Sequence, residues 1–422
     1  MPARLNPDLG DAATLGRLFA PVAGEPAIGL AVSGGADSLA LMLLAQRWAA
    51  SGPAPRLLVY SVDHRLRPEA ADEVAIVLDV AHRLGLDARV LAWTAPKPQS
   101  GLQEAARTAR YRLISEAMKA DGATVLLTAH HRSDQAETVL MRMAHGSGVE
   151  GLKGMTALSQ VEGVRVFRPL LDVDREALRR LIVEAGLTPV EDPSNSDSSY
   201  ERVRWRQLMP QLAELGLDAD ALVGFAERMA DTDKVLTRLA DAAFTELVQL
   251  DGFGAARIDG DRFNALGAAV GTRVLGRLLN IVGGRQKPRA LGQVERLRAQ
   301  IAEGSLPRST TLCGCVVRLK EGAVAVAREP GRSLPPDAVV APGGELVWDE
   351  RFRIFNGTGA GVTAGVADYL PRHRLEEVLG FKVTAPAEAI RTAPIVRDAN
   401  GGVVSLGGWS FDERLTVQLL ID

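Results

Sequence analysis

The twelve residues AIGLAVSGGADS, Ala27 to Ser38, restrict the fold more than any other stretch of this chain. Ala27 to Val32 has the length and composition of a buried strand. It runs directly into Ser33, Gly34, Gly35, Ala36, Asp37 and Ser38, and LALMLLAQRWA then continues as a buried helix. A strand that passes through a glycine turn into a helix makes a phosphate site. Glycine lets the backbone fold tightly and approach a ligand, and the first helical N–H groups, unpaired within the helix, point at it. Ser33 and Ser38 add hydroxyl donors. Asp37 would repel a bare phosphate, so its place here makes sense if a Mg²⁺ ion bridges carboxylate and phosphate oxygens. No lysine follows the glycines and they lack the spacing of a dinucleotide fingerprint, which excludes both of those loops. The bland alternative is a serine-glycine turn with Asp37 as an ordinary helix cap.

The chain then alternates. RLLVYSV (56–62) reads as a strand ending in Asp63 and His64, and a helix opens at Pro68. ARVLAW (88–93) is a third strand, GLQEAARTARYRLISEAMKADG a helix, and ATVLLTA (123–129) a fourth strand. This βαβαβαβ order predicts an α/β fold with a parallel, helix-covered sheet, whose ligand loops lie at the carboxyl ends of the strands. Ser33, Asp63 and His130 all fall there. In HHRSDQAETVLMRM, His130 and His131 sit at the strand end, while Asp134 and Glu137, three apart, share one face of the next helix. Their plain reading is an N-cap at Ser133 or Asp134 with Gln135 and Glu137 complementing the dipole. The spacing lacks the i, i+4 histidines of a zinc helix.

At 422 residues, 24% of them charged, the chain has room for two or three ordinary globular domains. Asp8 and Asp11 near the amino terminus argue against a signal peptide, and no apolar run reaches membrane length, so a cytoplasmic protein without membrane contact is expected. Cys313 and Cys315 stand too close for a disulfide framework. They alternate on one face of a strand-like TTLCGCVVRL, where buried packing is the expected role. The net charge is −3, but between residues 273 and 332 twelve Lys and Arg stand against four Glu, leaving a local +8. Such a block suits a polyanionic partner or, equally, a solvated helical face.

Several motifs in order carry a resemblance: SGGADS (33–38), VDHRLRPEA (62–70), GLQEAARTARY (101–111), AHHRSDQAETVLMR (129–142), GSGVEGLKGM (146–155), RPLLDVDREAL (168–178) and EDPSNSDSSYERVRWR (191–206). Together they resemble tRNA(Ile)-lysidine synthetase of the ATP-pyrophosphatase, or PP-loop, superfamily. The resemblance implies a catalytic domain over residues 1–212, a helical and basic tRNA-binding region over 213–332, and a small β-rich domain over 333–422. It implies ATP and Mg²⁺ as cofactors and, as partners, L-lysine and a CAU-anticodon tRNA(Ile) whose wobble cytidine is adenylated and then joined to lysine. A homodimer stays open.

On the same basis Ser33 to Ser38 and Asp63 bind ATP, with Asp37 on the metal. Asp134 and Glu137 recognise lysine, His130 serves adenylation, and Arg202, Arg204 and Arg206 face phosphates or the activated base, without a choice among the three. Glu104, Arg107 and Arg110 line the cleft by resemblance, though a solvated face explains their spacing equally well. Arg285, Lys287 and Arg289, in the basic block, are expected to grip tRNA. Sulfur-inserting and glutaminase-coupled relatives are excluded because residues 1–312 contain no cysteine. A non-catalytic ATP-sensing or tRNA-binding module is the remaining alternative.

Overall fold

A computed structural model describes residues 8–66, 70–98, 100–190, 197–284, 291–331, 334–367 and 370–421. The chain divides into two units, Met1–Thr232 and Asp233–Asp422. Among the described residues no helix is long and apolar enough to cross a membrane.

In the first unit, helix α1 (Ala12–Phe19) is capped by the Asp11 carboxylate on the Thr14 amide at 2.8 Å, and its Phe19 stacks on Trp48. The alternation follows as β1 (Ala27–Ala31), α2 (Ala36–Ala50), β2 (Arg56–Asp63), α3 (Ala70–Arg83), β3 (Asp87–Ala92), α4 (Leu102–Asp121), β4 (Val125–Leu127) and α5 (Arg132–Ala144). The strands pair in parallel in the order β3-β2-β1-β4. Two cores follow from the period of two along each strand. Ile28, Leu30, Leu57 and Val59 pack against α1, α2 and α3 on one face, while Ala27, Leu58 and Tyr60 meet Tyr111, Ile114 and Met118 of α4 on the other.

Beyond α5 come a short α6 (Val149–Leu152) and a hairpin, β5 (Leu158–Val161) with β6 (Val164–Phe167), that sequence patterning does not predict. Strand β6 joins the sheet parallel to β4, so the all-parallel expectation fails only at the β5 edge. The hairpin turns at Glu162 and Gly163, with φ of 48° and 76°, the double left-handed geometry of a two-residue β-turn. Helix α7 (Arg175–Glu184) packs on α2. Helix α8 (Glu201–Glu214) lies on α5, with Trp205, Met209 and Leu212 against Ala136, Val139 and Leu140. Helix α9 (Ala219–Leu247), anticipated from its amphipathic pattern, carries the unit boundary.

The second unit contains β7 (Val248–Leu250), β8 (Ala256–Asp259), α10 (Gly260–Asn264), α11 (Ala268–Gly283), α12 (Leu291–Ala302), β9 (Thr310–Leu312), β10 (Cys315–Lys320) and β11 (Ala323–Arg328). Its antiparallel sheet, β7-β8-β11-β10-β9, is packed by α11 and α12 through Val274, Leu278, Val294 and Leu297. The stretch read as one strand with both cysteines on a face is two strands. Cys313 and Gly314 form a tight turn, with φ of 63° and 74°, and Cys315 alone is buried, its thiol on the Leu279 carbonyl.

The remaining elements are β12 (Ala338–Val340), β13 (Glu345–Trp348), β14 (Phe352–Asn356), β15 (Val362–Val366), α13 (Arg372–Leu379), α14 (Ala387–Arg391), β16 (Pro394–Arg397), β17 (Val403–Leu406), β18 (Trp409–Ser410) and β19 (Leu415–Leu419). They make two small antiparallel sheets, β12-β15-β16-β17-β18 and β13-β14-β19.

Much of the local basic excess is neutralised by acids from outside the block. Arg273 pairs with Asp233 at 2.6 Å, Arg277 with Asp241 at 2.9 Å, Arg328 with Asp349 at 3.1 Å, and Arg318 with Glu388. Arg296 and Arg308 are exposed. Arg285, Lys287 and Arg289 lie outside the described residues.

Candidate active site

Strand order reverses at β1, which pairs with β2 on one side and β4 on the other, and the loops leaving β1 and β4 therefore open into one crevice. From β1, Ser33 leads to Gly34, whose φ of 87° belongs to the left-handed region. A Cβ there would also stand 3.1 Å from Val190 Cγ2. Gly35 caps α2 without a side chain, leaving the first amides of the helix accessible. The two hydroxyls brace the loop: Ser38 Oγ donates to the Gly35 carbonyl at 2.9 Å, accepts from the Ser33 amide at 3.2 Å, and lies 3.4 Å from Ser33 Oγ.

From β4 comes α5, and its cap is His131 rather than Ser133 or Asp134. The Asp134 amide donates to His131 Nδ1 at 3.4 Å and the His131 amide to Asp134 Oδ2 at 3.0 Å, a reciprocal capping box with a histidine in the capping place. Because Nδ1 accepts, Nε2 carries the proton. It stands 3.4 Å from both Asp37 Oδ2 and Asp134 Oδ2 with the ring only 1% exposed. His131 thus ties the phosphate loop to α5, a role sequence reading did not assign; the signal available was its place at the strand end beside His130.

Beyond Asp134 the chain of charges continues into α8. Glu137, its side chain 2% exposed, accepts from Arg202 Nε at 2.7 Å, from Arg206 Nε at 2.8 Å and from Arg206 Nη2 at 3.2 Å. Arg202 Nη2 reaches Asp134 Oδ1 at 3.0 Å. Arg204 lies on the other side of the helix, donating to the carbonyls of Ser198 and Ser199, as its offset of two residues requires. The bond to Glu137 raises the Arg206 pKa above its ordinary value. His130 accepts or donates at Nδ1 to Thr128 Oγ1, 2.9 Å away. Burial pushes it below the usual histidine range, with Asp134 opposing, so it is neutral at pH 7.

Burial works to raise the Asp37 pKa, but the hydrogen bond from His131, with Arg175 and Arg179 behind, leaves it lowered and the carboxylate ionised. Asp37 Oδ1 is buried without a hydrogen-bond partner, 3.8 Å from an equally unpartnered Arg175 Nε. An orphaned carboxylate oxygen beside a phosphate loop suits a hard cation. No group of three or more His, Cys, Asp or Glu among the described residues could hold a metal, so the other ligands would come from phosphate oxygens and water, as is usual for Mg²⁺.

Asp63 stands at the β2 end but is engaged locally, accepting from the Arg65 amide at 2.8 Å. On α4, Arg107 stacks over Tyr111 and Glu104 and Arg110 are exposed; no described hydrogen bond links them to the Asp37–Arg202 chain. The loop after α5 is held by side chains that sequence reading passed over. The Gln135 amide brackets the Met155 backbone at 2.7 and 2.9 Å, and Arg142 donates to the carbonyls of Gly151 and Gly154.

Residues 8–212 match the model of the PP-loop domain family. The chain is 43% identical to the tRNA(Ile)-lysidine synthase of Rhodopseudomonas palustris over 75% of its length and 94% of that relative, and 40% identical to that of Bradyrhizobium sp. over 76% and 95%. Among solved structures, a U34-tRNA thiolase from Methanococcus maripaludis aligns at a TM-score of 0.45 and 16% identity over 52% of this chain and 78% of the other, too loosely to argue from. Agreement of the first kind, spanning nearly the whole of those relatives, means that the chain belongs to the tRNA(Ile)-lysidine synthase family.

Proposed function

We propose that this chain joins L-lysine to C2 of the wobble cytidine in a CAU-anticodon tRNA(Ile), using ATP to adenylate the cytidine and releasing AMP and pyrophosphate. One observation carries the reading. A continuous run of contacts leads from the phosphate loop at Asp37, through His131 and Asp134, to Glu137, Arg202 and Arg206, so groups suited to nucleotide chemistry and to a cationic amine share one crevice. A cytoplasmic location and tRNA as partner follow from the same reading.

The C2 oxygen of cytosine leaves poorly, and adenylation turns it into a good leaving group. Ser33 and the first amides of α2 hold the phosphates on a loop braced by Ser38, and Asp37 would offer Oδ1 to Mg²⁺. When bound, the ion neutralises charge on the departing pyrophosphate. Arg202 and Arg206, held by Glu137, are placed for anionic phosphate or the activated base. His130, neutral and bonded to Thr128, can donate or accept a hydrogen bond during adenylation without carrying charge. A lysine amine of pKa about 10.4 arrives protonated, so it needs a carboxylate to receive it and must lose a proton before attack. Asp134 and Glu137 supply the carboxylates.

The test measures pyrophosphate release from ATP with Mg²⁺ and L-lysine, with and without a CAU-anticodon tRNA(Ile) transcript, while following radiolabelled lysine on the RNA. Release that depends on this tRNA and places label on it is expected. Release without tRNA points to an adenylating enzyme with another acceptor, and none under any condition to a binding module.

A further inference from the structure

The carboxylates assigned to lysine have no vacant oxygen. Asp134 Oδ2 accepts from the His131 amide at 3.0 Å and Oδ1 from Arg202 Nη2 at 3.0 Å. Glu137 Oε1 accepts from Arg206 Nε at 2.8 Å, and Oε2 from Arg202 Nε at 2.7 Å and Arg206 Nη2 at 3.2 Å. Every one of these oxygens already takes a donor, so an ε-ammonium that binds Asp134 Oδ1 competes with the guanidinium that holds it. Lysine binding then calls for that cation to give way.

The two arginines are not equivalent. Arg206 grips both oxygens of Glu137, and its side chain is 29% exposed. Arg202 divides its guanidinium between Glu137 and Asp134 and is 38% exposed. If Arg202 swings out, Glu137 keeps a partner on each oxygen, so no buried charge is stranded. Asp134 Oδ1 is then left with only Arg206 Nη2, 3.8 Å away and beyond hydrogen-bond reach. Asp134 Oδ1 then has room for another cation.

We infer that Arg202 is a displaceable internal cation. It occupies the place on Asp134 Oδ1 that the substrate ε-ammonium takes, while Glu137 keeps Arg206 beside that place. The inference rests on the lysine-ligating reading above. It makes the exchange selective for side chains that bring their own positive charge, because a neutral isostere such as norleucine offers Asp134 nothing in return for the lost pair. Arg202, once released, is free to turn toward anionic phosphate.

The experiment is calorimetric titration of the full chain with L-lysine, with and without AMP, for the wild type, Arg202→Gln, Arg202→Met, Asp134→Asn and the double variant Arg202→Gln/Asp134→Asn. Melting curves confirm folding. Removing the competitor should tighten lysine binding about fivefold in both Arg202 variants, the scale expected for a partly exposed pair. Asp134→Asn should weaken it at least about tenfold, and the double variant should bind as weakly as Asp134→Asn. In the wild type, the Arg202 guanidinium resonance should move toward that of a free arginine on lysine addition while that of Arg206 stays. Lysine binding that Arg202→Gln and Arg202→Met weaken or leave unchanged overturns the exchange while leaving the ligase reading intact. Lysine binding to none of the proteins, with or without AMP, overturns the ligase reading and the exchange with it.

Discussion

Asp37 does two things with one carboxylate: Oδ2 faces the His131 N–H, and Oδ1 has no hydrogen-bond partner, with Arg175 Nε 3.8 Å away. Asp37→Asn keeps the size and the contact with His131 but not the charge. Pyrophosphate release should fall by about two to three orders of magnitude, the loss typical of removing one preorganised electrostatic group, with the melting temperature little changed. His64 offers a pH signature in the same unit. Burial, with Arg110 and Lys97 nearby and Asp63 opposing, pushes it down to about 4 from an ordinary 6.5. Its Nδ1 is unpartnered and its ring meets Trp93 edge-on. The unfolded chain therefore takes up this proton near pH 6.5 while the folded one resists until about 4. Stability is full above 6.5 and declines as pH falls through that window. Urea unfolding at pH 7 and pH 5 should show the wild type losing about 1–2 kcal/mol more than His64→Phe, which keeps the ring against Trp93.

At the scale of elements, the site depends on how α5 meets α8, and buried Glu137 is the link. Glu137→Ala would leave Arg202 and Arg206 without their shared carboxylate; both guanidiniums still reach solvent, so the loss is about 1–2 kcal/mol, visible as a drop of a few degrees in melting temperature. Gly34→Ala should cost about 1–3 kcal/mol, since an alanine at that φ is strained and meets Val190. Unfolding in denaturant would report it.

Element starts and turns were the least legible. Ser133 and Asp134 are the better cap formers by type, yet His131 caps α5 because the same ring must also lie between two carboxylates, a tertiary requirement with no local mark. TTLCGCVVRL keeps its alternation straight through the Cys313-Gly314 turn, so a hairpin read as a strand. The β5–β6 hairpin is short and half exposed, and its Glu-Gly turn is a weak signal beside Asn-Gly.

For the whole molecule, the local +8 overstates the field, because at least four of its arginines are paired with Asp233, Asp241, Glu388 and Asp349. If tRNA is the partner, replacing exposed Arg296 or Arg308 by Gln should each lower the slope of log affinity against log salt by about 0.7–0.9 where the residue meets a phosphate. Arg273→Gln, whose guanidinium is already satisfied by Asp233, should leave the slope unchanged. Filter binding across a salt series measures both.

What the sequence determined by itself was the local and the repeated. The glycine turn after a buried strand, the strand-helix alternation and the long amphipathic α9 follow from backbone freedom and periodicity, which act over a few residues. Only the tertiary structure decided which charges face one another. Asp37 and His131 are 94 positions apart in sequence and Glu137 and Arg206 are 69 apart, so their pairing exists only once β1 and β4 lie side by side and α8 docks on α5. That choice separates Arg202 and Arg206 from Arg204, because a half-buried ion pair depends on distances that no spacing along the chain encodes.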